Sequence, residues 1–279
     1  MSSSAPHPII HETNLSHAWG SVFLHILDNS GKEISPLVIS LTGFNNGIPN
    51  EDRSVRDALD NCLVANSMQK VHTVANTIFP SSLWRQSKYD RKKLFETYIN
   101  ILPRIKALAK SKNRRGLYFE RLIAFGSGPH HGNQLEHIIS EYVTRPGVRR
   151  TMFQASIFDP ARDHICDAYL SFPCLQHVSF VPNNKDKSLT INGFYATQQL
   201  FDKAYGNYLG LCRLGHFMAH EMGLTLDRMN CFVGVEKLER IGKTSPILTP
   251  LIQVVRNVLQ PTTDDQTTNT VDLLLNKTS

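Results

Sequence analysis

Residues 176–222 read QHVSFVPNNKDKSLTINGFYATQQLFDKAYGNYLGLCRLGHFMAHEM, and this stretch decides the fold. Residues 176–181 are rich in branched and aromatic side chains and are predicted to form a strand. Pro182-Asn183-Asn184-Lys185-Asp186-Lys187 is a turn by composition. Residues 189–195 form a second strand. A long helix then covers about 198–222, with Phe201, Tyr205, Tyr208, Leu211 or Cys212, and Met218 recurring at a period of ~3.6 residues. Two strands joined by a turn and followed by a long helix do not fit strict strand–helix alternation. They argue for one α+β domain.

Upstream, Leu15, Trp19, Val22, Phe23, Ile26 and Leu27 recur at helical spacing, and Asn29-Ser30-Gly31 ends that helix. PLVISLTGF, residues 36–44, is a strand. Asp52 or Ser54 is placed to cap a helix that buries Val55, Ala58, Leu59, Cys62 and Leu63. Further helices are expected over 71–78, over 88–111 with an interruption at Pro103, and along Leu135, Ile138, Ile139 and Tyr142. Strands are expected over 149–158 and 230–235. The domain organisation is a flexible terminus over 1–14, a single domain over 15–258 and a polar, disordered tail over 259–279.

The chain has 279 residues, 41% of them hydrophobic, enough for a substantial core. Its net charge of +6 favours anionic ligands. No dense basic run or nucleic-acid motif accompanies it. The cysteines, Cys62, Cys166, Cys174, Cys212 and Cys231, are odd in number and match no zinc spacing. They read as free thiols in a reducing compartment. With no secretory leader pattern and no apolar run of membrane-spanning length, the expectation is a soluble, cytoplasmic protein.

Four residues carry candidate chemistry. Cys174 follows Phe172-Pro173 at a loop-to-strand junction, where a thiolate near fixed positive charge is a nucleophile. Arg149 and Arg150 offer planar forks of donors that suit phosphate. Asn207 lies on the long helix. On the residues alone, a lone cysteine is more often structural and an arginine pair is more often solvated surface, so both readings stand. His216 and His220, one helical turn apart, read as one core and one surface histidine rather than a metal site. Gly126-Ser127-Gly128 lacks the rest of a dinucleotide or P-loop fingerprint. Asp57 and Asp60 read as solvent-facing.

In order and spacing these pieces resemble the thymidylate synthase and deoxycytidylate hydroxymethylase superfamily. The resemblance rests on Asn133-Gln134-Leu135 through Pro146-Gly147-Val148-Arg149-Arg150, and on Phe172-Pro173-Cys174 with Phe180 six residues on. It continues through Leu189 to Asn207 and Leu214-Gly215-His216-Phe217-Met218-Ala219. It covers about residues 15–240. It implies a large mixed sheet with a long central helix and flanking helices, and a homodimer whose sheets pack back to back. It implies an enzyme of nucleotide biosynthesis that moves a one-carbon unit, methyl or hydroxymethyl, from 5,10-methylenetetrahydrofolate to C5 of a pyrimidine nucleotide. Cys174 would add to C6, Arg149 and Arg150 would reach the neighbouring subunit's phosphate, and Asn207 would read the pyrimidine edge.

The sequence departs from that pattern around the thiol. Ala196 stands where the family has a phosphate-holding arginine, and Leu175 where it has a histidine. Lys237-Leu238-Glu239 stands where it has His-x-Tyr, with Lys237 a candidate new positive contact. The early-helix glutamate falls near Ala58. These departures support two alternatives. One is a catalytically inactive nucleotide-binding sensor with the same fold. The other is an interaction protein that reuses the fold alone.

Overall fold

The computed structural model describes residues 9–126 and 128–260. The chain begins with β1 (Ile9–Glu12), α1 (Leu15–Asp28), β2 (Glu33–Ile34), β3 (Leu37–Leu41) and a hairpin of β4 (Phe44–Asn45) and β5 (Ile48–Pro49). Helices follow: α2 (Arg53–Ala65), α3 (Val71–Ile78), α4 (Ser81–Gln86), α5 (Arg91–Leu108), α6 (Lys110–Asn113), α7 (Tyr118–Ile123) and α8 (Gln134–Thr144). The second half holds β6 (Gln154–Ser156), α9 (Pro160–Asp163), β7 (Leu175–Asn183), β8 (Ser188–Tyr195), β9 (Gln198–Gln199), α10 (Tyr205–Glu221), β10 (Thr225–Val233), β11 (Glu236–Lys237) and α11 (Thr249–Leu259). Among the described residues, no helix is long and apolar enough to cross a membrane.

The architecture is α+β. A mixed six-stranded sheet runs in the order β1-β3-β10-β8-β7-β6, with helices flanking it. β1 pairs parallel with β3, and β10 pairs parallel with β8; the remaining neighbours are antiparallel. Because β8 and β10 are parallel, the chain must cross over between them, and α10 is that crossover. Three short strands form a second sheet, β2-β11-β9, at the end of β8.

α10 is buried on nearly every side, from Tyr205 to Ala219, as an apolar helix enclosed between two layers must be. One side packs on β8 and β10; the other meets α3. Two glycines permit that second contact. A Cβ at Gly206 would stand 2.6 Å from the Val74 Cβ, and one at Gly210 would stand 3.0 Å from the Ala75 carbonyl oxygen. Trp19 of α1 stacks on Phe23 and donates its indole N–H to the Leu200 carbonyl, which docks α1 against the start of the central helix. Each such buried aromatic contributes about 1.5–3 kcal/mol relative to exposure.

Among the described residues, nothing covers the opposite face of the sheet at Phe194 and Phe232. Along β8 and β10 the outward positions are Asn192, Phe194, Asn230 and Phe232. The two asparagines are hydrogen-bonded at 2.9 Å, and the two rings stack at 5.2 Å. Phe194 and Phe232 remain 40% and 38% exposed, which is high for stacked aromatics on a strand.

Several expectations change. Residues 9–12, assigned to a loose terminus, form β1 at a sheet edge, held by backbone pairing with β3. The strand expected over 149–158 is a 3-10 turn, Arg150–Met152, followed by the three-residue β6. Pro103 does not interrupt α5, which continues through it to Leu108. The long helix starts later than expected, after β9 and a π-helical turn over Leu200–Ala204. Asp52 stands at the N-cap of α2, but its carboxyl bonds His17 and Asn14 at 3.0 Å each instead of capping. The tail assigned to 259–279 lies, from 261 on, outside the described residues.

Candidate functional site

Cys174 immediately precedes β7, and its carbonyl accepts the Ala196 N–H at 3.1 Å, so the thiol sits beside the end of β8. Cys62, Cys212 and Cys231 are buried and Cys166 is exposed; Cys174 alone is half-buried. The hydroxyl of Tyr118, from the first turn of α7, lies against the thiol and against the backbone of Cys174 and Leu175. Burial pushes the Cys174 thiol above its ordinary value. The Lys203 ammonium pulls it down, Glu239 pushes it up, and the Tyr118 hydrogen bond pulls it down.

Arg149 and Arg150 are both exposed, at the turn that leads into β6. Among the described residues their guanidinium groups make no hydrogen bond or ion pair, and they are not among the charges that act on Cys174. The positive charge at the thiol therefore comes from Lys203, which the sequence did not single out. Lys203 shares its ammonium with Asp202 at 3.5 Å. Asn207 is 4% exposed and follows Lys203 by about one helical turn. Its amide makes no hydrogen bond to another described side chain. The structure thus brings Lys203 to Cys174 and leaves the arginine pair at the surface, while Asn207 is buried in the first turn of α10.

The positions that depart from the resemblance are resolved as follows. Ala196 offers no side-chain charge, and its backbone N–H donates to the Cys174 carbonyl. Lys237 is not a free cation, because it lies 3.8 Å from Glu33 and 4.0 Å from Glu239. Asp60, read as solvent-facing, instead accepts the Val71 N–H at 2.8 Å and so anchors the start of α3; Asp57 pairs with Arg53 at 3.6 Å. His216 is half-buried with its ring edge-on to Trp84, while His220 is exposed and bonds Glu221.

A buried ion pair fixes the segment that leads to the thiol. Arg121 grips Asp163 and donates to the carbonyls of Ile157 and Arg115. Its guanidinium also lies over the Phe172 ring, 5.4 Å from the centroid, two residues before Cys174. Gln134 adds a second clasp, accepting from the Ser156 N–H and donating to its carbonyl.

The feature that sequence reading missed lies behind the thiol. Tyr195, Gln198, Asp202 and Glu236 are each 3% exposed or less. Among the described residues, Tyr195 Oη, both amide atoms of Gln198, Asp202 Oδ1 and Glu236 Oε1 find no hydrogen-bond partner. A buried polar group left unmatched costs about 1–3 kcal/mol. Glu236 receives only the Tyr208 hydroxyl, at 3.3 Å, and burial pushes its carboxyl well above the ordinary range. Tyr195 stands within electrostatic reach of both Cys174 and Glu236, linking the cluster to the thiol. The available signal was a glutamine and a glutamate breaking otherwise apolar, core-bound segments. Two surface depressions, of about 330 and 420 Å³, lie along α5 and beside Tyr89 and do not include Cys174.

No protein-family model matches the chain, and no curated protein matches it.

Proposed function

We propose that this chain is a divergent thymidylate-synthase-like transferase of nucleotide biosynthesis. It binds a pyrimidine nucleotide or nucleoside at Cys174 and moves a one-carbon unit to ring C5 through a covalent cysteine adduct. The observation that carries the reading is the setting of Cys174: half-buried just before a strand, with the Tyr118 hydroxyl against its sulfur and the Lys203 ammonium acting on it.

The chemistry follows from those groups. The thiol gives up its proton, and Lys203 and Tyr118 stabilise the resulting thiolate. The sulfur adds to C6, and the C5–C6 electron pair passes towards the C4 carbonyl oxygen as an enolate. The amide of Asn207, which bonds no other described side chain, would donate to that carbonyl. C5 would take the one-carbon unit and lose its proton as the folate nitrogen leaves; a hydride from the tetrahydrofolate would complete a methyl product, or water a hydroxymethyl product, and elimination of the thiolate would restore the C5–C6 double bond. The covalent detour divides a difficult C–C bond formation into easier steps. A reduced folate, when bound, would supply the one-carbon unit.

The half-exposed Phe194–Phe232 stack on the uncovered sheet face supports a homodimer joined sheet to sheet. In such a dimer Arg149 and Arg150 would serve the neighbouring subunit's phosphate. Five free cysteines support a reducing, cytoplasmic setting.

A second reading has its own support. Burial holds the Cys174 thiol up, and Glu239 adds to that. A thiol in this state favours a nucleotide-binding sensor that keeps the pocket without turnover. Release of tritium from a 5-tritiated pyrimidine nucleotide separates the two. Release that depends on Cys174 supports the transferase, whereas tight binding without release supports the sensor.

A further inference from the structure

We propose that Gln198 and Glu236, with the hydroxyl of Tyr195, form a buried recognition subsite beside Cys174 for the uncharged, hydrogen-bonding edge of a heterocyclic base. The inference rests on the Cys174 reading above and names which part of the ligand goes where.

Seven buried side-chain polar atoms among the described residues lack a partner, and four of them belong to these three residues. The clustering matters, because scattered orphans are local imperfections whereas a group of them is a demand for one shared partner. The backbone holds the group together. Gln198 is paired with Glu236 across β9 and β11. The Gln198 N–H donates to the Val235 carbonyl at 2.9 Å, and the Gly234 N–H donates to the Tyr195 carbonyl at 2.8 Å. Tyr195 is in turn the cross-strand partner of Leu175, the residue after Cys174.

The free groups select the ligand. A glutamine amide presents a donor beside an acceptor. Burial pushes the Glu236 carboxyl well above its ordinary value, and in its protonated form a carboxylic acid presents the same pair. The Tyr195 hydroxyl serves either role. None of these groups is a cation, and the nearby cations Lys203 and Arg240 lie against Asp202. A phosphate or carboxylate would find no charge partner here, and a hydrocarbon would leave all four atoms unmet. A ring edge with N–H beside C=O, or amino N–H beside a ring nitrogen, matches both side chains. The base therefore points inwards, and any phosphate points outwards.

The test uses the full chain with deoxyuridine monophosphate, deoxycytidine monophosphate and inorganic phosphate as probes in calorimetric titrations. Gln198→Leu and Glu236→Leu should each weaken nucleotide binding by about tenfold or more, with Glu236→Gln recovering part of the loss and phosphate alone binding weakly throughout. In parallel, the infrared band of the protonated Glu236 carboxyl, assigned by its loss in Glu236→Gln, should shift when nucleotide is added to the wild-type protein. That readout does not depend on the apolar variants folding. If the band stays fixed on binding and the leucine variants bind as wild type does, the cluster is only hydrated and the inference fails while the Cys174 reading stands. If the wild-type protein binds neither nucleotide, both fall together.

Discussion

Arg121 and Asp163 meet in a two-pronged ion pair, Nη1 to Oδ2 at 3.2 Å and Nη2 to Oδ1 at 2.9 Å, with both side chains almost entirely out of water. Removing one partner strands the other as an uncompensated buried charge, which costs about 3–5 kcal/mol. Asp163→Ala should therefore lose that much in urea unfolding. The double variant Arg121→Met/Asp163→Leu should lose clearly less, because it leaves no orphan charge. A loss from Asp163→Ala within the roughly 0.5 kcal/mol of an ordinary surface substitution would contradict this role.

Glu236 makes stability depend on pH in a definite direction. Its folded pKa is raised by burial, so the native state holds the proton more tightly than the unfolded chain does. The stability this provides is complete below the unfolded value of about 4.3. It is lost as pH rises through the higher folded value. Thermal unfolding of wild type should therefore fall off with rising pH relative to Glu236→Gln, which has no proton to lose. Parallel curves for the two proteins would show that Glu236 does not titrate in the native state.

The thiol can be titrated directly by its rate of alkylation, in a Cys166→Ser background that removes the exposed cysteine. Burial should place the Cys174 inflection above the ordinary thiol value of about 8.5. Lys203→Met should move it further up, and Glu239→Gln should bring it down. An inflection below the ordinary value that neither substitution moves would mean that other charges govern the thiol.

The open sheet face is tested by size. If Phe194 and Phe232 seat against a second copy, light scattering should report a dimer for wild type and a monomer for Phe194→Ser/Phe232→Ser. Both rings are exposed enough that serine should leave the fold intact. A wild-type monomer at high concentration would remove the dimer from the proposal.

The strand over 189–195 and the buried character of Phe201, Tyr205, Tyr208 and Met218 were legible because alternation and helical periodicity report directly which face is covered. The turn holding Arg149 and Arg150 was not. Alternation over 151–158 looks the same in a full strand as in a 3-10 turn followed by three strand residues. β1 was hidden because its pairing with β3 is a tertiary contact, and two isoleucines beside His11 and Glu12 give no period to read. At the site, Cys174 and Asn207 were visible as residue types. Lys203, Tyr118 and Glu236 were not, because their roles depend on how α7, α10 and β11 meet, and spacing along the chain carries no trace of that. The Arg121–Asp163 pair spans 42 positions and could not be read for the same reason.

The most direct measurement is the intact mass of the protein after incubation with 5-fluoropyrimidine nucleotides, with and without 5,10-methylenetetrahydrofolate. Once C5 has bonded the folate carbon, fluorine there cannot leave as a cation, so the covalent complex persists. The expected result is a mass increase equal to nucleotide plus folate when both are present, absent in Cys174→Ala. The same mass for wild type and Cys174→Ala under every condition would contradict nucleophilic chemistry at Cys174.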